Sequence, residues 1–219
     1  MEKHRYRLEL FNEFARIGKS MSSPKRLEIL DVLTQGPKSV EYLAKITSMS
    51  VANVSQHLQI LYQSKLVQYE KRGNFVVYQL SDPAVLEFLD SLYGLSEKKL
   101  IEIQHIKQQF TGQFKGIEAV TMEELAGRIE RREVTLLDVR PSDEFDSGHI
   151  QGAISIPIEE LAEQLNLLPV NTMIVAYCRG EYCLSAIQAT ELLKANGFQA
   201  SYLNKSVHEW NQFSKVKTV

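Results

Sequence analysis

MIVAYCRGEYCLSA, residues 173–186, runs from an apolar stretch through Arg-Gly-Glu into a helical pattern, and it holds both cysteines of the chain, Cys178 and Cys183. A short apolar run closed by a glycine turn reads as a buried strand. The stretch behind it, Leu184 to Asn196, reads as a helix that Gly197 ends. Around this unit the alternation repeats. Val134–Val139, Ile154–Ile156 and Ala200–Leu203 are strand-like, and Thr121–Arg131 and Ile158–Leu165 are helix-like. Strands alternating with helices predict an α/β domain with a mostly parallel central sheet.

In such sheets ligands bind beyond the carboxyl ends of the strands. Cys178 follows its strand directly and precedes its helix. Inward-pointing amides and the positive end of a helix dipole stabilise a thiolate at such a place. The thiol pKa falls from ~8.5 to between about 3.5 and 7.5 in surroundings of that kind. Cys178 is therefore expected to be the ionised nucleophile of the loop.

The 219 residues are 44% hydrophobic and 24% charged, as in ordinary globular proteins. No apolar run approaches the roughly 20 residues of a membrane span. The opening MEKHRYRLELF is charged throughout and unlike a secretory signal. A cytoplasmic location with no membrane partner is the expectation, and a reducing compartment favours a reactive cysteine pair over a structural disulfide. Charge is unevenly placed. Residues 1–80 carry 12 Lys and Arg against 7 Asp and Glu, net +5, which leaves 13 against 20, net −7, for residues 81–219. A basic first half suits an anionic partner such as nucleic acid.

Within residues 22–80, Pro24 follows two serines and starts a helix whose stripe Leu27, Ile29, Leu30, Leu33 stops at Gly36-Pro37. A second helix spans about Val40–Ile46, Thr47–Ser50 turn, and a third helix begins near Val51 with Val54, Leu58 and Leu61 facing inward. Leu66–Leu80 reads as a hairpin around Lys71-Arg72-Gly73-Asn74. Two helices joined by a short turn and followed by a basic hairpin make a helix-turn-helix with a wing. Asn53, Ser55, Gln56 and Gln59 lie off the inward face of the third helix, as short polar side chains suited to base edges. Residues 83–110 continue as an amphipathic helix with Gly94 as a bend, and Leu10, Phe11, Phe14 and Ile17 mark an N-terminal helix. Their apolar stripes need a partner surface, which predicts a dimer interface.

SPKRLEILDVL, LAKITSMSVANVSQHLQIL and LVQYEKRGNFVVYQLSD resemble the ArsR family of bacterial winged-helix repressors over about residues 8–110. The resemblance implies a homodimer on an inverted-repeat, double-stranded DNA operator. It implies Ser50, Asn53, Ser55, Gln56 and His57 in or near the recognition contacts, and Lys71 and Arg72 on phosphate or in the minor groove. His57 has two open roles, backbone contact or packing within the domain. Members of that family sense metals through cysteines beside the recognition helix or through ligands on the terminal helix. VEYLAKITSMS has no cysteine, and Glu102 with His105 is too small a set, so neither metal nor cofactor is expected.

The second half resembles the rhodanese sulfurtransferases over about residues 117–214, in the loop Cys178–Cys183 and in LLDVRPSDEFDSGHIQGAISIP. A phosphatase loop would need Arg six residues after the cysteine, where Leu184 stands. The resemblance implies that Cys178 accepts a sulfane sulfur as a persulfide within Arg179, Gly180, Glu181, Tyr182 and Cys183, and passes it to a thiol acceptor. Asp138 and Arg140 match positions that border the family's site, or serve only as an ion pair, and His149 fixes a turn. Cys183 stands where relatives carry Arg or Thr, Glu181 adds negative charge, and Lys205-Ser206 replaces a glycine pair. A second thiol resolves a persulfide into a disulfide, which suits a switch more than an enzyme.

These readings predict two domains, a mainly α winged helix-turn-helix over 1–112 and an α/β rhodanese-like domain over 117–219. The expected function is a DNA-binding repressor that senses or transfers reactive sulfur. The alternatives are a sulfurtransferase localised or dimerised by its winged helix, and a thiol-based arsenic or redox sensor.

Overall fold

The structure is a computed structural model that describes residues 2–217. The chain divides into two compact units, Met1–Leu100 and Ile101–Val219.

In the first unit, α1 (Glu2–Met21) leads to α2 (Pro24–Leu33), which starts with proline behind an extended Ser23. A two-residue strand β1 (Lys38–Ser39) precedes α3 (Val40–Ile46), whose first turn is capped by Ser39 Oγ accepting from Tyr42 N at 3.1 Å. Ser48 takes φ 52° in the connector, and α4 (Val51–Gln63) then starts on Ser50 Oγ, which accepts from Asn53 N at 3.2 Å. Each cap satisfies an amide that the helix itself leaves unpaired. Ile29, Leu30, Leu43, Val54, Leu58 and Leu61 form the centre of the core. The strands β2 (Val67–Arg72) and β3 (Phe75–Leu80) pair antiparallel, with Arg72 opposite Phe75 across a Gly73-Asn74 turn in which Gly73 has φ 61°. β1 pairs along the other edge of β3.

Helix α5 (Pro83–Lys99) is capped by Asp82. It runs through Gly94 without interruption, and the break falls instead at Leu100, whose φ −111° and ψ 101° are extended. Helix α6 (Ile101–Thr111) follows and belongs to the second unit.

That unit continues with β4 (Ala119–Val120), α7 (Met122–Glu130), β5 (Val134–Asp138), α8 (Ser142–Ser147), β6 (Ile154–Ser155), β7 (Met173–Tyr177), α9 (Ser185–Ala195), β8 (Ala200–Leu203) and α10 (Val207–Lys217). Its sheet has the order β4-β8-β7-β5-β6, with every neighbouring pair parallel. The period of two along β7 sorts its side chains between two cores. Ile174, Ala176 and Cys178 join Leu137, Ala186, Ala189 and Leu193 on one face, while Val175 and Tyr177 join Leu125, Leu136 and Trp210 on the other. The sheet is therefore covered on both faces, as the apolar run of β7 requires.

One expected helix is absent. Residues 158–165 form tight turns instead, including the 3-10 segments Leu161–Glu163 and Leu165–Leu167, with Glu163 N bonding Glu160 O at 3.0 Å. Leu161 and Leu168 are drawn into the core, and Pro169 holds the residue before it extended at φ −90°, ψ 139°. Short three-residue turns meet those demands where a regular helix does not.

Candidate functional site

Two sites emerge, one in each unit. On α4, Asn53 and Gln56 are exposed and share a helical face, with Gln59 also exposed. Ser55 Oγ donates to the Val51 carbonyl at 2.8 Å, and Ser50 is engaged as the helix cap. His57 Nδ1 is buried and has no partner among the described residues. Burial first, then the charges of Arg26 and Lys25, lower the His57 pKa from its ordinary 6.5. Its packing is that of a neutral side chain. At the wing, Lys71 and Arg72 are exposed, and Arg72 Nε donates to Glu70 Oε1 at 2.6 Å.

In the second unit the loop 178–184 joins β7 to α9. Cys178 is 1% exposed and packs in the core, whereas Cys183 is half-buried. Cys178 Sγ donates to the Cys183 carbonyl at 3.3 Å. The Gly180 and Ala186 amides favour negative charge on Cys178, and the Ser185 hydroxyl with the Arg179 and Ser185 amides favours it on Cys183. Burial, followed by the bond to Cys183, pushes the Cys178 thiol up. The bond from Cys178 prevails over burial to hold Cys183 down at about 5. Burial thus opposes the ionisation of Cys178 that its place between strand and helix leads one to expect. Removal from water disfavours charge on the inner sulfur, whose proton is directed at the Cys183 carbonyl.

The loop is held on three sides. Gly180 has φ 104°, and a Cβ there would sit 3.2 Å from Ser206 N and 3.5 Å from Glu209 Oε2. Ser206 N and Oγ both donate to that carboxylate, at 2.8 and 3.0 Å, and Lys205 Nζ donates to its other oxygen at 2.8 Å. Burial opposes ionisation of Glu209, yet the bonds from Lys205 and Ser206 keep its pKa below the usual carboxylate value. On the second side, the Arg179 guanidinium grips the fully buried Glu144, Nη2 to Oε1 at 2.5 Å and Nε to Oε2 at 3.0 Å. That cation is spent on the scaffold.

The third side is α6. Lys107 Nζ meets Glu181 Oε1 at 2.5 Å and lies 5.2 Å from the centre of the Tyr182 ring. The negative charge of the loop is thereby matched by a cation, which the sequence pattern gave no reason to expect. Nearby, Asp138 and Arg140 form a buried bidentate pair, Nε–Oδ1 2.9 Å and Nη2–Oδ2 2.5 Å, and Arg140 also bonds the Gly148 carbonyl at 2.8 Å. They tie the end of β5 to the turn ahead of β6. His149 stacks on Phe145 at 3.8 Å with Nδ1 3.0 Å from the Phe145 carbonyl.

Residues 23–69 match the bacterial regulatory protein, arsR family, and residues 121–213 match the rhodanese-like domain. HTH-type transcriptional regulator Rv0324 of Mycobacterium tuberculosis is 36% identical over 201 residues, which span 92% of this chain and 88% of that protein. The chain belongs to the ArsR-family transcriptional regulators that carry a rhodanese-like domain. Over the first unit alone, the arsenical resistance operon repressor of Staphylococcus xylosus is 38% identical over 80 residues, 36% of this chain and 73% of the repressor. Among solved structures, a human single-domain sulfurtransferase is 26% identical, with 44% of this chain and 97% of that one covered and a TM-score of 0.40.

This ArsR-family regulator holds no cluster of three or more His, Cys, Asp or Glu arranged for a metal ion among its described residues, and there no helix is long and apolar enough to cross a membrane. Sequence reasoning passed over Lys107, Glu144 and Glu209. Their partners lie 74, 35 and 3 residues away respectively, and only Ser206-x-x-Glu209 carried a legible signal, a capping pattern ahead of α10.

Proposed function

We propose that this regulator is a homodimeric repressor of an operator in double-stranded DNA, and that the sulfur state of Cys178 and Cys183 sets its affinity for that operator. The observation that carries the reading is the pair itself, both cysteines of the chain in one loop at the carboxyl end of the central strand, with Cys178 Sγ donating to the Cys183 carbonyl at 3.3 Å. A lone acceptor cysteine suffices for transfer, whereas two in contact can store the outcome as a bond.

The chemistry balances with an inorganic polysulfide as the donor. A thiolate of the pair attacks a sulfane sulfur, a Cys–S–S bond forms, and the S–S bond of the donor breaks, so that the shortened polysulfide leaves with the electron pair. The second thiol then attacks the cysteine sulfur of the persulfide. A Cys178–Cys183 disulfide forms and hydrosulfide departs, taking the proton of the second thiol. The sulfane sulfur is the oxidant, reduced to sulfide.

Coupling to DNA runs through Lys107. Closing the disulfide reshapes the segment that carries Glu181 and Tyr182, and α6 holds both through one side chain. Only Leu100 separates α6 from α5, the last helix of the DNA-binding unit. On the DNA side, Asn53 and Gln56 read base edges, Ser50 and Ser55 shape the start of α4, and Lys71 and Arg72 contact the backbone. The exposed apolar side chains of α1, Phe11 and Phe14 among them, form part of the dimer interface.

Gel shifts with a duplex selected by the protein from random sequence test the reading. Wild type treated with polysulfide is expected to lose the shift and regain it with dithiothreitol, while Cys178→Ser binds equally under all conditions. Equal binding by wild type before and after treatment, with sulfur transfer to a thiol intact, supports a tethered sulfurtransferase instead.

A further inference from the structure

We propose that the Glu181–Lys107 pair sets which sulfane donors the loop accepts, admitting a donor with a single negative charge at its reacting end, such as a thiosulfonate or an organic persulfide, and disfavouring the compact dianion thiosulfate. The proposal rests on the reading of Cys178 and Cys183 as a sulfur acceptor and names the donor class of that site.

The observation that carries it is the matching of charge around the loop. Arg179, the residue after Cys178, has its guanidinium on the buried Glu144, with Nη2 to Oε1 at 2.5 Å and Nε to Oε2 at 3.0 Å. In the wall against Gly180, Lys205 Nζ meets Glu209 Oε1 at 2.8 Å. On the α6 side, Lys107 Nζ meets Glu181 Oε1 at 2.5 Å. Each of these cations faces its own carboxylate, so the three pairs present no net charge to a donor. What an incoming anion meets is backbone, in the Gly180 turn at φ 104° and the first turn of α9, whose dipole places about half an elementary charge at that end. One negative charge suits that surrounding. A second on the same small group must compete with a carboxylate for its cation or go unmatched, which is costly where water is partly excluded.

Of the three pairs, Glu181–Lys107 is the one placed to decide between donors. Glu144 is fully buried, and Glu209 also accepts from Ser206 N and Oγ, so both carboxylates belong to the scaffold. The Glu181 side chain is 37% exposed and that of Lys107 19%. Loss of the Glu181 carboxylate leaves the ammonium beside the Tyr182 ring, 5.2 Å from its centre, where it attracts a second donor charge. A unit cation acting on one extra charge through partly solvated space changes a rate by on the order of tenfold.

Thiosulfate and methanethiosulfonate isolate that charge, because both give up a terminal sulfur from the same kind of bond. The thiol proton passes to solvent, the Cys178 thiolate attacks the terminal sulfur, and a Cys–S–S bond forms. The donor's S–S bond breaks, and sulfite or methanesulfinate leaves with its electron pair.

Sulfur loading of the full chain by the two donors tests the proposal. It is read by mass spectrometry as one added sulfur in a Cys183→Ser background, where the persulfide cannot close to a disulfide. The ratio of the thiosulfate rate to the methanethiosulfonate rate is expected to rise about tenfold in Glu181→Gln, and to return to within about twofold of its starting value when Lys107→Gln is added. A ratio unmoved by Glu181→Gln, or a rise that persists in the double variant, overturns the proposal and leaves the sulfur-acceptor reading standing. Failure of the Cys183→Ser chain to take sulfur from thiosulfate, methanethiosulfonate and inorganic polysulfide alike overturns both.

Discussion

Gly180 shows how tightly single residues define the sulfur loop. Its φ of 104° is costly for any residue with a Cβ, and the added atom would press on Ser206 N at 3.2 Å. Gly180→Ala is expected to destabilise the second unit by about 1–3 kcal/mol in urea denaturation. His57 offers a test in the other unit. Its pKa is lowered by burial, so the unfolded chain binds the proton more readily than the folded one. Its contribution to stability is present above the ordinary value of 6.5 and fades as pH falls below it. An NMR titration is expected to place His57 below 6.5, and a value above it would mean that the ring is solvated or paired with an acid. The sequence made Cys178 and Cys183 visible because a strand-to-helix junction is a local pattern. The burial of Cys178 was not visible, since it depends on the core packed around it, which spacing does not reveal.

Among elements, α1 presents the clearest unsatisfied surface. Tyr6, Phe11 and Phe14 are 65%, 57% and 64% exposed within a single chain. Burying one such aromatic stabilises an interface by about 1.5–3 kcal/mol, so a pair of copies gains substantially from covering several. Phe14→Asp is expected to turn the dimer into a monomer in light-scattering chromatography and to abolish DNA binding. An unchanged mass would move the interface elsewhere. Helices α2, α3 and α4 were legible because proline, serine caps and a clean inward stripe agree on each. Residues 158–165 misled because Ile158, Leu161 and Leu165 have helical spacing, whereas the proline behind them and the pull of Leu161 into the core favour tight turns. β4 is too short, at two residues, to carry any period. α6 was read as part of the first module from its apolar spacing, and its attachment through Lys107 has no counterpart in local sequence.

For the whole molecule, the proposed sulfur response depends on the Lys107–Glu181 contact. Lys107 is half-buried and Glu181 exposed, and ion pairs near the surface contribute on the order of 0.2–1 kcal/mol, too little to hold the fold. Lys107→Ala is therefore expected to change the denaturation midpoint little and to leave sulfur uptake intact, while the response of DNA affinity to sulfur is lost. The central claim is tested most directly by fluorescence anisotropy of one labelled operator duplex, titrated with full-length protein before and after polysulfide treatment at fixed salt. The account predicts dissociation constants that differ by about tenfold or more, equivalent to roughly 1.4 kcal/mol, and that converge again on reduction. Identical constants for protein whose cysteines are fully converted would contradict it.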